Sequence, residues 1–368
     1  MRRYAITFIA AFCAFLALVA CINVLIDTNG VYRPDSLEAR REIGRYVTRL
    51  RASTGGLVSL PRERNVKLEL LRQTAAGCYV VGSSHAMQVD AATAPALFEH
   101  CRDVVNLGVS GAGFEDFVIM AGVLVERRFA GQLVVEAGPW MLRRNADPRW
   151  NEERIAYERG RELLGLPRIA GVSFTVDERW SGLINADYAL HNVTALLQSR
   201  WPPAKQPEAA SPPGWLDARE AGENDNVLLS NGRFEYARGF LKNTPPAPTA
   251  VKDGSYKIAR PAIDNSVRIE FADALRALMR NGVRITLLLT PYHPAVFTCA
   301  GRNVCETLAE VETAVRALAE KTGVRLIGSF DPRPFTLTYK DFLDEMHVSK
   351  LAFNRIVATT NPWRKTNP

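Results

Sequence analysis

The first apolar segment of the chain, Ala5–Ile26, is unbroken, and its only clearly polar side chains are Thr7 and Asn23. At ~1.5 Å of rise per residue, a helix of this length spans ~33 Å, which is enough to cross the hydrocarbon core of a bilayer. The pattern therefore predicts a transmembrane signal anchor over residues 1–27.

Two other interpretations of the amino-terminal segment stay open. A cleaved signal peptide has a similar charged start and apolar middle, although no small-residue cleavage site stands at the end of the run. A lipoprotein signal would use Leu18-Val-Ala-Cys21, with Cys21 as the lipidated residue. Apolar character continues past Cys21, which favours the retained helix. The anchor and the lipoprotein both hold the remainder of the chain at a membrane.

A charged segment, residues 28–75, separates the anchor from the first strand. Apolar positions recur at helical spacing in Ser36–Arg51 and predict a juxtamembrane helix. Val66–Gln73 has the same spacing and predicts a second helix.

Residues 76–140 alternate between short apolar strands and helical periodicity. The predicted elements are a strand ending at Gly82, a helix near Ala91–His100, a strand ending at Gly108, a helix from Phe114 to Val125 and a strand over Gln132–Glu136. The alternation stops over residues 141–263, where the chain has helix-like pieces at Glu152–Leu164 and Asn185–Gln198 and a proline-rich linker from Trp201 to Trp215. A long stretch with weak periodicity inside an α/β domain is usually a functional insertion or lid.

The alternation resumes over residues 264–368. The predicted elements are a helix ended by Asn281-Gly282, a strand over Val283–Thr290, a helix over Leu308–Leu318, a strand over Val324–Ile327 and a helix from Ser349 to Val357. Five strands joined by helices predict an α/β fold: three-layer α/β/α, with a five-stranded, mostly parallel sheet of flavodoxin-like type.

Composition limits the possible partners. The chain has 368 residues, of which 47% are hydrophobic and 23% charged, and its formal net charge is +7. This excess of basic residues suits an anionic partner such as a polyanionic glycan or a lipid headgroup. Lys and Arg are spread along the chain, without the aromatic-interleaved basic block of nucleic-acid readers, so we expect no nucleic-acid partner.

Cysteine spacing bears on the compartment. Cys78 lies six residues before Ser84, and Cys101 lies seven before Gly108 on the next predicted strand. If these strands are parallel neighbours, ~4.8 Å apart, the two cysteines are within disulfide range. Cys299 and Cys305 bracket a short loop and form a second candidate pair. Four buried free thiols are the alternative, but at least one bridge is favoured, and with it an oxidising compartment.

Residues with hydrolytic chemistry follow the predicted strands, and the carboxyl ends of parallel strands share one edge of a sheet. In strand order these residues are Ser83-Ser84-His85, Asn106–Gly111, Gly138-Pro-Trp140, Tyr292-His293 and Asp344–His347. A serine, an imidazole three residues from a carboxylate, and small residues that present N–H groups are the components of nucleophilic acyl transfer. No cofactor motif or metal-ligand spacing accompanies them, so we expect no cofactor and no metal.

Three of these segments resemble the conserved blocks of the SGNH (GDSL-like) hydrolases. Gly82-Ser83-Ser84 is similar to the first block, Asn106–Gly111 to the second and Asp344–His347 to the last, Asp-x-x-His. The resemblance implies that Ser84 is the nucleophile, His347 the base and Asp344 its orienting acid. It also implies that the amides of Gly111 and Ser84 are oxyanion donors.

The Gly-Ser-Ser variant, the anchor and the insertion look most like the membrane-anchored branch of that superfamily, which includes the D-alanyl transfer protein and the alginate O-acetylation proteins. One departure concerns the third block, Gly-x-Asn-Asp. No Asn stands at the expected place near Val135–Met141, so one oxyanion donor is missing unless Trp140 or Asn145 replaces it.

The remaining candidates are substrate contacts. His85 adjoins the serine and fits a turn residue or ligand contact better than a base. His293 is the alternative base or a ligand contact, and core or loop packing explains it equally well. Trp140 and Tyr292 are candidates for a sugar-stacking pair, although aromatics near strand ends are more often plain packing.

The resemblance implies a membrane-anchored acyl esterase or O-acyltransferase that acts on a cell-surface glycan. It would sit in a bacterial inner membrane, with its catalytic domain on the periplasmic side, and would receive acyl groups from a membrane protein. The alternatives are a catalytically inactive glycan-binding or scaffold protein, which the missing Asn favours, and a lipid-processing esterase.

Overall fold

The computed structural model describes residues 2–25, 37–60, 62–98, 101, 103–168, 183–184, 186, 189–190, 193, 215–243, 262–297 and 303–360. The chain forms two compact units, Met1–Ile43 with Ile169–Gly214, and Gly44–Arg168 with Trp215–Pro368. The predicted insertion, 141–263, is divided between these units. All candidate site residues lie in the second unit.

The amino-terminal apolar helix is present in the first unit. It spans Arg2–Leu25 (α1), and its portion Thr7–Leu25 has a mean hydropathy of 2.7 and is 11% buried, as suits a helix that crosses a membrane. Cys21 in this helix is an exposed free thiol. The predicted helical piece Asn185–Gln198 and the linker Trp201–Trp215 fall largely outside the described residues.

The remaining elements follow in chain order. The helices are α2 (Leu37–Ala52), α3 (Glu63–Gln73), α4 (Phe114–Glu126), α5 (Arg154–Leu163), α6 (Arg238–Asn243), α7 (Asn265–Arg280), α8 (Asn303–Thr322) and α9 (Phe353–Thr360). The strands are β1 (Leu57–Val58), β2 (Cys78–Val81), β3 (Val104–Asn106), β4 (Gln132–Glu136), β5 (Val227–Leu228), β6 (Phe234–Glu235), β7 (Arg284–Leu289) and β8 (Arg325–Gly328).

The predicted five-stranded sheet is confirmed, and all of its neighbouring pairs are parallel. Its order is β3-β2-β4-β7-β8. The inner strands are continuous apolar runs because both of their faces are covered, and every residue of β2 is buried. The fold class is therefore α/β, as the alternation of elements predicts.

Part of the predicted insertion packs on the core. Helix α5 crosses α4 so closely that a β-carbon on Gly122 would lie 2.3 Å from the Cα of Gly160. Glycine at both positions allows the two backbones to touch, and α4 is buried along most of its length. The chain immediately after the third core strand is thus a packed element of the second unit.

One predicted helix is wrong in the part that the structure describes. Where the periodicity near Ala91–His100 predicts a helix, residues 91–98 contain only a 3-10 turn over Pro95–Leu97. The Asp90 carboxylate accepts hydrogen bonds from the N–H groups of Ala92 and Thr93, both at 3.0 Å. These local bonds compete with a helical ladder, and Pro95 supplies no N–H for one.

The last helix begins at Phe353 rather than at Ser349. The N–H of Ser349 instead donates to the carbonyl of Asp341 (2.8 Å), and the N–H of Ala352 donates to the carbonyl of Ser349 (3.0 Å). A turn fixed by a long-range bond therefore precedes the helix, which no local pattern indicates.

The predicted bridge between Cys78 and Cys101 is present, with a Cα separation of 6.1 Å. Cys305 is also disulfide-bonded, whereas Cys299, its predicted partner, lies outside the described residues. A membrane-length amino-terminal helix together with a disulfide fits a single-pass membrane protein with an extracytoplasmic domain.

A second, smaller sheet was not predicted. It is antiparallel, has the order β1-β5-β6, and is built from strands of two residues each. The buried Lys67 joins it to the core, because its Nζ donates to the carbonyls of Asn106 (3.1 Å) and Gly232 (2.5 Å). Gly232 lies in the turn between β5 and β6, so this hairpin is held against the end of β3.

Candidate active site

The site lies at the carboxyl edge of the five-stranded sheet. The chain passes from β2 outward to β3 and then returns past β2 to β4, so the direction of winding changes between β2 and β4. Ligands of open α/β sheets bind outside the carboxyl ends of strands at such a point. Ser84 follows β2 at this position, and Glu136 ends β4 beside it.

Three side chains from opposite ends of the sequence meet there. The Oγ of Ser84 lies 2.8 Å from Nε2 of His347, and Nδ1 of His347 lies 2.6 Å from Oδ2 of Asp344. In the tautomer that this arrangement selects, Nδ1 donates to the carboxylate and Nε2 accepts the serine proton. We refer to these three residues as the Ser–His–Asp chain.

The Asp344–His347 turn is locally preorganised. The second carboxylate oxygen of Asp344 accepts the N–H groups of Met346 and His347, both at 2.7 Å. Burial opposes the charge on Asp344, but the hydrogen bonds from His347 and from the turn outweigh it and hold the pKa of this carboxyl below its ordinary value. The carboxylate is therefore ionised at neutral pH.

The turn that carries Ser84 is held in place by Glu136 at the end of β4. A β-carbon on Gly82 would lie 2.5 Å from the Cβ of Glu136, so only glycine fits between the two strand ends. The N–H of Ser83 donates to Oε2 of Glu136 at 2.8 Å. Across residues 81–90 all side chains are buried except that of Ser84, which is half-buried. The turn thus presents one hydroxyl to solvent.

Sequence reasoning missed the role of Glu136. Its carboxyl is fully buried, burial raises its pKa, and Oε1 has no hydrogen-bond partner among the described residues. The available signal was a carboxylate at the end of a strand that is otherwise apolar, at the edge where ligands bind.

The turn containing Gly111 lies beside the serine turn. The N–H of Val109 donates to the carbonyl of Gly82 at 3.0 Å, and the amide of Asn106 donates to the carbonyls of Ala86 (2.7 Å) and Val89 (2.8 Å). The Asn106 side chain therefore joins the two turns. Within the described part of the chain, the N–H groups of Ser84 and Gly111 donate to no acceptor.

The peptide that precedes Gly111 is held by two charged side chains. The φ of Gly111 is +68°, and a β-carbon there would lie 2.3 Å from Oδ2 of Asp147. The preceding carbonyl, of Ser110, accepts from the guanidinium groups of Arg149 (2.9 Å) and Arg64 (3.2 Å). Arg64 is buried and also pairs with Asp116 at 2.8 Å. Two cations thus hold the Ser110 carbonyl and the peptide that bears the Gly111 N–H.

No protein-family model matches this chain, and no curated protein matches it either.

The site must therefore be interpreted from its own geometry. A hydroxyl, an imidazole and an ionised carboxylate in hydrogen-bonded series can generate a nucleophilic alkoxide and hold the imidazolium that results. Among the described residues no group of three or more His, Cys, Asp or Glu side chains has the arrangement of a metal site.

Trp140 and Asn145, the two candidates for a further oxyanion donor, do not contact the Ser–His–Asp chain in the part of the protein that the structure describes. Trp140 is half-buried in a 3-10 turn after β4. The side-chain oxygen of Asn145 accepts from the indole N–H of Trp150 at 2.9 Å, and its backbone N–H donates to Glu115 at 2.7 Å. Within the described residues, neither Trp140 nor Asn145 forms a hydrogen bond or ring contact with Ser84 or His347.

His85 packs beneath the site. The centroid of its ring lies 5.0 Å from that of His347 and 5.0 Å from that of Tyr292. Burial lowers the pKa of His85 to about 3, and repulsion from His347 adds to this. Neither ring nitrogen has a hydrogen-bond partner in the described part of the chain. His85 is therefore a neutral packing ring that supports His347.

Tyr292 and His293 are buried as well, with 0% and 1% exposure. The N–H of His293 donates to the carbonyl of Glu345 at 3.2 Å, and Nδ1 of His293 accepts from Ala295 at 3.1 Å. His293 thus contacts the backbone of the Asp344–His347 turn. The structure places Tyr292 below the site, out of reach of a ligand that stacks from solvent.

Tyr236 is the second residue that sequence reasoning missed. It follows β6 in the predicted insertion, its hydroxyl donates to the carbonyl of Ser84 at 3.4 Å, and its ring lies 5.9 Å from that of His347. The signal was Asn231-Gly232, a dipeptide typical of hairpin turns, between the apolar segments Val227–Leu229 and Phe234–Tyr236.

Proposed function

We propose that this protein is a membrane-anchored serine esterase or O-acyltransferase that acts on acylated glycans of the cell surface. The observation that carries the proposal is the 2.8 Å separation between the Ser84 hydroxyl and Nε2 of His347, whose other nitrogen faces the ionised Asp344. This is the arrangement that nucleophilic acyl transfer requires.

In the first half-reaction, Ser84 Oγ attacks the ester carbonyl while His347 Nε2 takes the serine proton. Asp344 stabilises the imidazolium through Nδ1. The tetrahedral intermediate collapses when His347 returns its proton to the leaving alcohol, which leaves the acyl group on Ser84. In the second half-reaction, water or a sugar hydroxyl loses a proton to His347 and attacks the acyl-enzyme. The ester bond to Ser84 breaks, and the proton returns to Oγ.

The oxyanion requires N–H donors on the side of the serine opposite the base. The amides of Ser84 and Gly111 are the candidates, since neither donates to a described acceptor and the Gly111 turn is fixed beside the serine turn. Removal of one oxyanion donor costs on the order of 10²-fold or more in rate in serine hydrolases. A site without a third-block Asn is therefore slow or selective unless another group donates.

Four further features support this assignment. The strand order suits a three-layer SGNH-like architecture, the amino-terminal helix suits a membrane tether, and the Cys78–Cys101 bridge suits the periplasmic side of a bacterial inner membrane. A net charge of +7 suits an anionic polysaccharide. In the transferase version of the proposal, a membrane protein supplies the acyl group.

The proposal is tested by labelling the full-length protein in detergent with a fluorophosphonate. The wild type should be labelled and Ser84→Ala should not. Ser349→Ala is the matched control, because Ser349 is half-buried two residues after His347 and its hydroxyl makes no hydrogen bond in the described part of the chain. Equal labelling of wild type and Ser84→Ala would refute the nucleophile. Failure of the folded wild type to label would favour the inactive glycan-binding or scaffold protein.

A further inference from the structure

The hairpin formed by β5 and β6 is attached to the core at several points. The N–H of Asn106 donates to the carbonyl of Asn231 at 2.8 Å, and the N–H of Phe234 donates to the carbonyl of Met87 at 2.9 Å. Met87 lies three residues after Ser84, and Asn106 joins the serine turn to the Gly111 turn. Backbone bonds therefore tie the hairpin to both turns of the site.

Charged contacts continue this attachment along the hairpin. Arg233 pairs with Asp90 at 3.0 Å and with Glu235 at 2.8 Å. Glu235 also pairs with Lys350 at 3.3 Å, and Lys350 lies three residues after His347. The hairpin is thus connected to the segments that follow both Ser84 and His347.

This attachment fixes Tyr236 against the Ser–His–Asp chain. Two aromatic rings contact the His347 imidazole in the described part of the chain, and they differ in exposure. His85 is only 4% exposed, whereas Tyr236 is half-buried. Its ring also packs on that of Phe240, at 5.2 Å, and Phe240 is 37% exposed. The accessible aromatic surface beside the base is therefore formed by Tyr236 and Phe240.

The position of the base determines which part of the substrate meets this surface. His347 must protonate the departing alcohol and must deprotonate the incoming one, so both alcohols occupy the same side of the serine. We propose that Tyr236 and Phe240 form the alcohol subsite of this enzyme, where the aromatic surface takes the apolar face of a saccharide that leaves or accepts the acyl group. This inference depends on the proposed function, since it assigns one subsite of the same reaction.

The chemistry of the surroundings suits a sugar better than a lipid chain. Saccharide rings present an apolar face to aromatic side chains and hydroxyls to polar groups at the edge. The ion pairs of Arg233, Glu235 and Lys350 lie next to Tyr236, and the Tyr236 hydroxyl, which donates its proton to the Ser84 carbonyl, can accept a hydrogen bond from a sugar hydroxyl. A long acyl chain has no polar group that could interact with these charges.

The test compares two substrates of the full-length protein in detergent. In p-nitrophenyl acetate the leaving group departs readily and makes few contacts, whereas an acetylated β-glucoside oligosaccharide must bind through its sugar rings. We expect Tyr236→Ala to lower kcat/KM for the saccharide ester about tenfold or more beyond any loss on p-nitrophenyl acetate, whose hydrolysis shares the contacts of Tyr236 with Ser84 and His347. We expect Phe240→Ala to act in the same direction, and Tyr236→Phe to retain most of the saccharide activity because the ring remains.

Tyr339→Ala is the matched control, because Tyr339 is a half-buried tyrosine without a ring contact to His347. Equal losses on both substrates with Tyr236→Ala, or no loss on either, would overturn the alcohol subsite while Ser84-dependent hydrolysis still supports the proposed function. Preference for micellar long-chain esters over the saccharide ester, unchanged by Tyr236→Ala, would assign a lipid substrate and overturn the subsite. Hydrolysis that survives Ser84→Ala would instead overturn the proposed function itself.

Discussion

The backbone N–H of Ser83 donates to Oε2 of Glu136 over 2.8 Å, and this bond links the turn after β2 to the end of β4. Both partners are buried, at 1% exposure each. The bond spans the place where the winding direction of the sheet changes, and Ser83 directly precedes Ser84. The Glu136 carboxyl thus fixes the backbone of the turn that carries Ser84.

Two replacements of Glu136 should distinguish the effect of its hydrogen-bond acceptor on stability from the effect of its charge. Glu136→Ala leaves a cavity and an unsatisfied N–H on Ser83, so we expect the free energy of unfolding to fall by about 2–4 kcal/mol. Glu136→Gln retains an acceptor of the same size and should cost less than about 1 kcal/mol. Urea unfolding measures both, with Glu158→Ala on the exposed face of α5 as the control. Equal losses for Ala and Gln would show that the charge, and not the acceptor, matters.

Asp344→Asn tests the orienting acid. Asparagine still accepts the N–H groups of Met346 and His347, so the turn should fold, but an amide does not fix the tautomer of His347 in which Nε2 is free to accept. If Ser84 is the nucleophile, we expect kcat for an acetate ester to fall on the order of 10³-fold or more. An Asp344→Asn enzyme within tenfold of wild type, with an unchanged melting temperature, would contradict this role.

The core strands are predictable from the sequence because each contains a short apolar run that is followed within three residues by glycine or proline. Gly82 stops β2, and Pro291 follows β7 at the sheet edge. Parallel strands that are buried on both faces have apolar sequences, irrespective of the loops around them. The same strand pattern predicts that Ser84 and His347 lie at one edge of the sheet. The sequence does not specify the 2.8 Å between Ser84 Oγ and His347 Nε2.

What the sequence did not indicate depends on long-range contacts. The strands of the small sheet have two residues each, too few for a periodic signal, and Tyr236 reaches Ser84 only because Lys67 and Asn106 hold the hairpin. Tyr292 follows a strand just as a ligand contact would, yet it is fully buried. Exposure at a sheet edge is decided by the loops that cover it, and one chain gives no pattern for that.

Gly111→Ala tests the candidate oxyanion turn. Gly111 and Gly165 have nearly the same φ, +68° and +69°, so alanine should cost each about 1 kcal/mol of stability. Only at Gly111 does the added carbon meet an obstacle, Oδ2 of Asp147 at 2.3 Å, whereas Gly165 has open space. We expect kcat to fall about tenfold or more in Gly111→Ala and to stay unchanged in Gly165→Ala. Equal activity of the two variants would remove Gly111 from the site.

The Cys78–Cys101 bridge closes a loop with a sequence separation of 23. Chain-entropy arguments assign such a loop about 3 kcal/mol. We expect the double variant Cys78→Ala and Cys101→Ala to lose stability of this order in urea, and dithiothreitol to lower the melting temperature of the wild type more than that of the double variant, which keeps the bridge at Cys305. Cys21→Ala, which removes a free thiol, is the control. An identical response of wild type and double variant to the reductant would contradict the bridge.

Glu115 should make stability depend on pH. It is buried at the start of α4, where Oε1 accepts from the N–H of Asn145 at 2.7 Å and Oε2 has no partner among the described residues. Burial raises the pKa of Glu115 from its ordinary value of 4.5 to about 7, in spite of that hydrogen bond. Between these values the folded state binds a proton that the unfolded state has released.

Stability conferred by the protonated Glu115 is therefore present below about pH 4.5 and is lost as the pH rises toward 7. We expect the unfolding free energy of the wild type to fall across this window, relative to Glu115→Gln, on the order of 3 kcal/mol. Glu126→Gln, an exposed change at the other end of α4, should follow the wild type. Chemical unfolding at half-unit pH steps gives the difference directly. Parallel curves for wild type and Glu115→Gln would mean that the carboxyl is ionised in the folded protein throughout, with Asn145 and the helix amino terminus outweighing its burial.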